Sequence, residues 1–118
     1  MTIPEANGAD VLLFFCTRQN PRDFPGFRTI VLDGEKANEI EVPCSGRVGT
    51  GEIMQALAAG YRKVVVLSCG VKSCMHGFGC KEAKTATERA RELALVAGIE
   101  KDRIVFVEAD DPEYKGAN

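Results

Sequence analysis

The chain has 118 residues, of which 45% are hydrophobic and 27% are charged, and this balance is typical of one globular domain with its own core. Lys and Arg number 15 and Asp and Glu number 17, so the net charge is −2, and the sequence shows no basic stripe of the kind that binds nucleic acid. No apolar run approaches the roughly 20 residues that cross a bilayer, and the polar start does not resemble a secretory signal. We therefore expect a cytoplasmic protein without membrane insertion, in which five cysteines favour metal or redox chemistry over structural disulfides.

The first predicted element is a buried strand. Val11–Cys16 is a continuous apolar run, as in a strand covered on both faces of a parallel sheet. Prolines and glycines argue against a long helix in residues 17–38, although Arg28–Leu32 could form a short strand. Glu39–Pro43 alternates charged and apolar residues, as a half-buried or edge strand does, and this strand ends at Cys44.

Two helices are predicted from apolar periodicity. The first covers Gly51–Ala59, with Thr50 as its cap, and ends before Gly60. The second covers Lys81–Ala97 and ends before Gly98. Their predicted apolar faces are Ile53, Met54, Leu57 and Ala58 in the first helix, and Ala83, Ala86, Ala90, Leu93 and Ala97 in the second.

Strands are predicted on both sides of the second helix. Lys63–Cys69 is rich in β-branched residues, Arg103–Ala109 forms the last strand, and Asp110–Asn118 is a polar tail. Strands that alternate with helices through short connections predict an α/β fold with a mainly parallel sheet, right-handed crossovers and a flavodoxin-like or Rossmann-like layered architecture.

Cysteines stand at the predicted carboxyl ends of three strands. Cys16, Cys44 and Cys69 each end a strand, and Cys74 follows in the turn after the third. Ligands of open α/β sheets bind at this edge, and four converging thiolates suit an iron–sulfur cluster or a tetrahedral zinc ion. The four-residue gap between Cys69 and Cys74 fits either metal, and the alternative is that the cysteines are ordinary core residues.

Three further features of this edge have more than one interpretation. Cys80 precedes the second helix and could be a redox thiol, an alternative ligand or an ordinary helix-start residue. His76 could ligate a metal or lie in a solvated turn. The glycine-rich segment of residues 46–51 resembles a phosphate cradle only loosely, and Arg47 within it could balance cluster charge or meet an acidic partner.

These residues carry a family likeness. The string Pro43-Cys44-Ser45-Gly46-Arg47-Val48, a helix that ends at Ala59-Gly60, and a valine-rich strand that leads to Cys69 and Cys74 resemble the delta subunit of methyl-viologen-reducing hydrogenase, the hydrogenase iron–sulfur subunit family. The resemblance extends from Val11 to about Ala109. It implies one α/β domain over residues 1–118, with its core in about residues 11–109.

The resemblance also implies a site and a role. Cys16, Cys44, Cys69 and Cys74 match family cysteines and would hold a [2Fe-2S] cluster, with Cys80 as an alternative ligand. The protein would pass electrons from a hydrogenase or other dehydrogenase to a heterodisulfide-reductase-like flavoprotein, as a subunit of an oxidoreductase complex more than as a stand-alone enzyme.

The sequence departs from the family at two positions that bear on this site. Gln19 stands where the family typically has a second cysteine, and Gly70 stands where it usually has a histidine. The cysteines also leave two other functions open: a metal-free thiol protein that acts in redox or sensing through Cys74 or Cys80, and a zinc-stabilised binding module.

Basic residues lie in the predicted turns at the same edge. They are Arg18, Arg22, Arg47 and Lys72. On a chain of net charge −2 they predict a local positive patch that docks an acidic partner, with an attraction that weakens as salt rises. The alternative is that they are ordinary solvated turn residues.

Overall fold

The computed structural model describes residues 2–16, 36–68 and 78–108. These ranges contain the strands β1 (Val11–Cys16), β2 (Ala37–Val42), β3 (Lys63–Ser68) and β4 (Ile104–Glu108), and the helices α1 (Thr50–Ala58) and α2 (Gly79–Val96). Short 3₁₀ helices cover Ser45–Arg47 and Lys101–Arg103. The predicted strand Arg28–Leu32 and the tail Asp110–Asn118 lie outside the described residues.

The described strands form one parallel sheet in the order β2-β1-β3-β4. This confirms the predicted α/β fold, and the order is the one that flavodoxin-like sheets follow. From β1 the chain moves to a strand on one side and then to strands on the other, so the strand order reverses between β1 and β3. In such sheets the ligand crevice lies at this reversal, outside the carboxyl ends of the strands. We call this end of the sheet the carboxyl edge.

Burial separates the central strands from the outer ones. Every residue of β1 is buried, and β3 is buried from Val64 to Ser68. The outer strands are mostly half-buried, and β2 carries Glu39 and Glu41. Among the described strands, continuous apolar runs therefore occupy the middle of the sheet and the charged alternating strand occupies an outer position, as the sequence predicts.

One face of the sheet packs against both helices. Leu12 and Phe14 of β1 share a core cluster with Ile53 and Ala56 of α1 and with small residues of α2. The side chains of the opposite face form a second cluster, which includes Leu13, Val65 and Val107. Within the part of the chain that the structure describes, no helix is both long and apolar enough to span a membrane.

The buried face of α2 differs from the predicted one. The buried residues are Gly79, Cys80, Ala83, Thr87, Ala90 and Ala94. Ala83 and Ala90 were predicted correctly, whereas Leu93 is 51% exposed and Ala97 is exposed. Counting in steps of three and four from Cys80 places Ala94 on the sheet and turns Leu93 about 100° away. Thr87 tolerates burial because its hydroxyl donates to the Ala83 carbonyl at 2.7 Å.

The predicted face and cap of α1 also need correction. Met54 and Leu57 pack against the core as predicted, but Ala58 is exposed and Ala56 is buried in its place. The N-cap is Gly49, and Thr50 is the first residue of the helix. The Thr50 hydroxyl donates to the carbonyl of Ala86 in α2 at 3.1 Å, so a tertiary contact takes the group that was expected to cap the helix.

A buried tyrosine fixes the N-terminal segment at the other end of the sheet, where the strands begin. The Tyr61 hydroxyl donates to the Pro4 carbonyl at 2.8 Å and accepts a hydrogen bond from Asn38 Nδ2 at 2.9 Å. Asn38 also donates to the Ala6 carbonyl at 3.3 Å. The N-terminal segment is thus held at the amino edge of the sheet, opposite to the predicted cysteine site.

Candidate functional site

Two of the four predicted ligands lie in the described residues, and both stand at the carboxyl edge. Cys16 is the last residue of β1 and is 4% exposed. Cys44 comes two residues after β2, because the ladder stops at Val42 and Pro43 has no N–H with which to continue it. The prediction that Cys44 ends the strand is therefore wrong by this short margin. Cys69, Cys74 and His76 lie outside the described residues.

The ends of β1 and β2 are in direct contact. Cys16 pairs with Val42 in the ladder, and the Cys16 thiol points at the Pro43 carbonyl, with Sγ 3.8 Å from the oxygen. Cys44 is the residue that follows this carbonyl. The two cysteines are thus brought from distant parts of the sequence to neighbouring strand ends.

Cys80 joins this edge from the helix. It is the second residue of α2, not a residue before the helix as the sequence suggested, and it is 1% exposed. Its side chain packs against Cys16 in a small buried cluster of their own. The Ser45 hydroxyl is directed at Cys80 Sγ, 4.0 Å away, and Ser45 is also buried. Three thiols therefore occur at the carboxyl edge within the described residues.

Two glycines allow the 3₁₀ helix after Cys44 to contact α2. A Cβ atom on Gly46 would lie 2.9 Å from the Gly79 Cα atom and 3.2 Å from the Gly79 carbonyl oxygen. This separation is shorter than an ordinary carbon–carbon contact, so the two backbones can meet only while Gly46 has no side chain. The contact sets Cys44 and Ser45 against the first turn of α2, which carries Cys80.

A cleft of about 330 Å³ opens beside Cys44. It is lined by Cys44, Gly46, Arg47, Phe78, Gly79 and Glu82. Cys44 is partly exposed, whereas Cys16 and Cys80 are buried, so Cys44 is the most accessible of the three described thiols. Arg47 is exposed, and Phe78 is 73% exposed, which is unusual for an aromatic ring. Arg18, Arg22 and Lys72 of the predicted basic patch lie outside the described residues.

The structure does not favour a phosphate cradle at the start of α1. A Cβ atom on Gly49, the N-cap, would lie 3.2 Å from Oε2 of Glu52. The Glu52 carboxylate therefore lies at the helix N-terminus, where its negative charge is stabilised and would repel a phosphate. This leaves the cysteines as the chemically distinctive groups of the edge.

The described residues alone do not complete a metal centre. In residues 2–16, 36–68 and 78–108, no group of three or more His, Cys, Asp or Glu side chains is arranged to hold a metal ion. Three cysteines lie in the described residues, so a four-cysteine site would also need Cys69 or Cys74, which lie outside them. The described chain reaches Ser68, which immediately precedes Cys69 and ends the strand beside β1.

The contact between Cys80 and Cys16 is not among the three interpretations of Cys80 that the sequence allowed. A signal for it was present, because the spacing of Ala83, Thr87, Ala90 and Ala94 continues backward to residue 80. A helix face extended in this way places Cys80 on the sheet side of the helix. Phe78 gave no comparable signal, since its exposure depends on how the helix start meets the sheet.

Comparisons with known proteins bear on the identity of this site. The family model described as methyl-viologen-reducing hydrogenase, delta subunit, matches residues 11–118. A curated relative, the vhu iron–sulfur subunit of the F420-non-reducing hydrogenase of Methanopyrus kandleri, is 34% identical over 65 residues, which are 55% of this chain and 49% of the relative. The match thus spans about half the length of that relative. Because the family match begins at β1 and extends over most of the chain, the protein belongs to the methyl-viologen-reducing hydrogenase delta subunit family.

Proposed function

We propose that the protein is an electron-transfer subunit that holds an iron–sulfur cluster at its carboxyl edge. The observation that carries this proposal is the meeting of cysteines there, with Cys16 and Cys44 at neighbouring strand ends and Cys80 packed against Cys16. Membership of a hydrogenase subunit family and a relative named as an iron–sulfur subunit support the same function.

The donor set fits such a cluster. Thiolates are the usual ligands of iron–sulfur clusters, and Cys16 packs against the sulfur-bearing side chain of Cys80, towards which the Ser45 hydroxyl is directed. We propose Cys16, Cys44, Cys69 and Cys74 as the ligands, with Cys80 as an alternative ligand, and [2Fe-2S] as the cluster type. When bound, a cluster of this kind accepts and donates one electron at a time.

The surrounding residues would control access to the site. The burial of Cys16 keeps water from its sulfur, and a low-dielectric environment is one of the factors that set the reduction potential of a cluster. Cys44 faces the cleft, so electrons would enter or leave on this side of the site. The 3₁₀ helix and the start of α2 form the walls of the cleft, and the Gly46–Gly79 contact fixes them against each other.

The partners would dock over this cleft. We propose a hydrogenase or dehydrogenase subunit as the electron donor and a heterodisulfide-reductase-like flavoprotein as the acceptor, in the cytoplasm. Arg47 supplies an exposed positive charge and Phe78 an exposed ring beside the Cys44 wall. Aromatic and arginine side chains are the groups that most often anchor protein interfaces, and an acidic partner surface would complement the charge.

The cluster is tested by purifying the protein without oxygen. We expect a brown protein with visible absorption and equal amounts of iron and acid-labile sulfide. A colourless protein that contains zinc would indicate a zinc-stabilised binding module instead. A colourless, metal-free protein would indicate a thiol redox or sensing protein, and either result would contradict the proposal.

The partner surface is tested by electron transfer. Reduced protein is mixed with a heterodisulfide-reductase-like flavoprotein from the same source, and flavin reduction is followed as the salt concentration rises. We expect slower transfer at high salt and in Arg47→Glu. Lys101→Glu is the matched control, because it reverses the same charge on an exposed residue just before β4, at the amino edge. Equal effects of the two variants would argue against docking over the cleft.

A further inference from the structure

Cys80 packs against a proposed ligand, Cys16, but is not one of the four proposed ligands. It is 1% exposed and packs against Cys16, which is itself 4% exposed. The Ser45 hydroxyl is also directed at Cys80 Sγ, from 4.0 Å. Three buried side chains, of Ser45, Cys80 and Cys16, thus connect the 3₁₀ helix to the end of β1 through Cys80.

The hydrogen bonds that the Cys16 sulfur can make change when it becomes a ligand. As a thiol it directs its hydrogen at the Pro43 carbonyl, 3.8 Å away. As a thiolate it has no hydrogen and can only accept hydrogen bonds, while its negative charge is largely removed from water. A donor beside it then stabilises that charge, and hydrogen bonds to the ligand sulfurs are among the factors that set the potential of a cluster.

Cys80 is placed to be this donor. A thiol can accept a hydrogen bond on its sulfur and donate its own hydrogen at the same time. The Ser45 hydroxyl is directed at the Cys80 sulfur as a donor. The Cys16 sulfur packs against Cys80 and, as a thiolate, could accept the Cys80 hydrogen. The first turn of α2 and the Gly46–Gly79 backbone contact fix the position of Cys80, so the donor is preorganised.

We propose that Cys80 is a positioning residue whose thiol donates a hydrogen bond to the Cys16 thiolate and raises the reduction potential of the cluster. This inference rests on the proposed function, and it assigns Cys80 a role other than ligation. Donation favours the reduced cluster because reduction adds negative charge that the donor stabilises. Ser45 strengthens the donation by polarising the Cys80 thiol.

The test compares the unmodified protein with Cys80→Ala, Cys80→Ser and Ser45→Ala, all purified without oxygen. Iron and sulfide content reports ligation, and a spectroelectrochemical titration gives the midpoint potential. We expect full cluster content in all three variants. The potential should become more negative in Cys80→Ala, stay near the original value in Cys80→Ser, which keeps a donor, and shift slightly downward in Ser45→Ala.

Each alternative has a distinct result. Loss of iron in Cys80→Ala and Cys80→Ser would show that Cys80 is a ligand. Full iron content with an unchanged potential in Cys80→Ala would show that Cys80 only fills space. Equal shifts in the two Cys80 variants would exclude donation, and if Cys80→Ala fails to fold, an upward shift or no shift in Ser45→Ala would overturn the inference. Unmodified protein without iron and sulfide would instead overturn the proposed function, and this inference with it.

Discussion

Adding one methyl group at Gly46 should separate the 3₁₀ helix from α2. The Cβ atom of Gly46→Ala would lie 2.9 Å from the Gly79 Cα atom and 3.2 Å from both the Gly79 carbonyl oxygen and Oε2 of Glu82. The Glu82 carboxylate is the end of a flexible side chain and can move away. The Gly79 backbone cannot move without displacing the first turn of α2, which carries buried Cys80.

The size of this effect follows from the overlap. Carbon atoms in contact normally lie about 3.5–4.0 Å apart, so the new methyl group intrudes by roughly 0.6–1.1 Å. Overpacking of this kind costs about 1–3 kcal/mol. For a domain of this size each 1 kcal/mol corresponds to roughly 3–6 °C in Tm, so we expect Gly46→Ala to lower Tm by about 3–18 °C.

Gly51→Ala is the matched control. Gly51 lies in α1, and a Cβ atom there would meet no heavy atom within 4 Å. Alanine is favoured over glycine in a helix by about 0.5–1 kcal/mol, so this variant should be slightly more stable than the original protein.

Thermal unfolding followed by circular dichroism at the helix band measures both variants, and iron content measures the site. Because the displaced segment begins at Cys44, Gly46→Ala should also bind less iron, whereas Gly51→Ala should bind the normal amount. Equal stability of Gly46→Ala and the original protein would refute the close backbone contact between the 3₁₀ helix and α2.

Three other changes should have distinct outcomes. Cys16→Ser and Cys44→Ser should each lose most of the iron and the visible absorption, whereas equal losses in Cys80→Ser would contradict the proposed ligands. Removing the cluster with a chelator should lower Tm, because the proposed ligands join several strand ends and ligand assembly is coupled to folding; an unchanged Tm would mean that the core alone fixes these loops. Tyr61→Phe should reduce the free energy of unfolding in urea by about 0.5–1.5 kcal/mol, because it removes the hydrogen bonds of the hydroxyl with Asn38 and the Pro4 carbonyl; an unchanged free energy of unfolding would argue against this anchor.

The central strands could be predicted closely because their environment is uniform. The bounds of β1 are those of the apolar run Val11–Cys16, and Lys63 begins β3 as expected. Such strands are apolar at every position, so their bounds can be predicted without knowing which residues face which side of the sheet. The sequence predicts a start of β2 at Glu39, whereas the strand begins at Ala37. The two additional residues belong to the strand because Ala37 pairs with Val11, and the alternation of charged and apolar residues does not reveal this register.

Tertiary contacts account for the errors. Thr50 was expected to cap α1, but its hydroxyl finds the Ala86 carbonyl on another helix. Leu93 was expected in the core, but the small side chains of Ala90 and Ala94 lie there and leave Leu93 exposed. The placement of Cys16 and Cys44 at the carboxyl edge could be predicted because each follows or ends a strand of a parallel sheet, while the contact of Cys80 with Cys16 depends on the rotation of α2.

The parallel sheet has a consequence for the order of events during folding. Val11 pairs with Ala37 and with Lys63, and Val64 pairs with Ile104, so no described strand pairs with a neighbour across a tight hairpin. Sheets built from such distant pairings form slowly, because each chain closure costs entropy before the contacts stabilise it. Cys16 and Cys44 come together only when β1 and β2 have paired. In a newly made chain Cys16 and Cys44 are therefore not yet neighbours, and loading of a cluster that uses both would follow or accompany the pairing of β1 with β2.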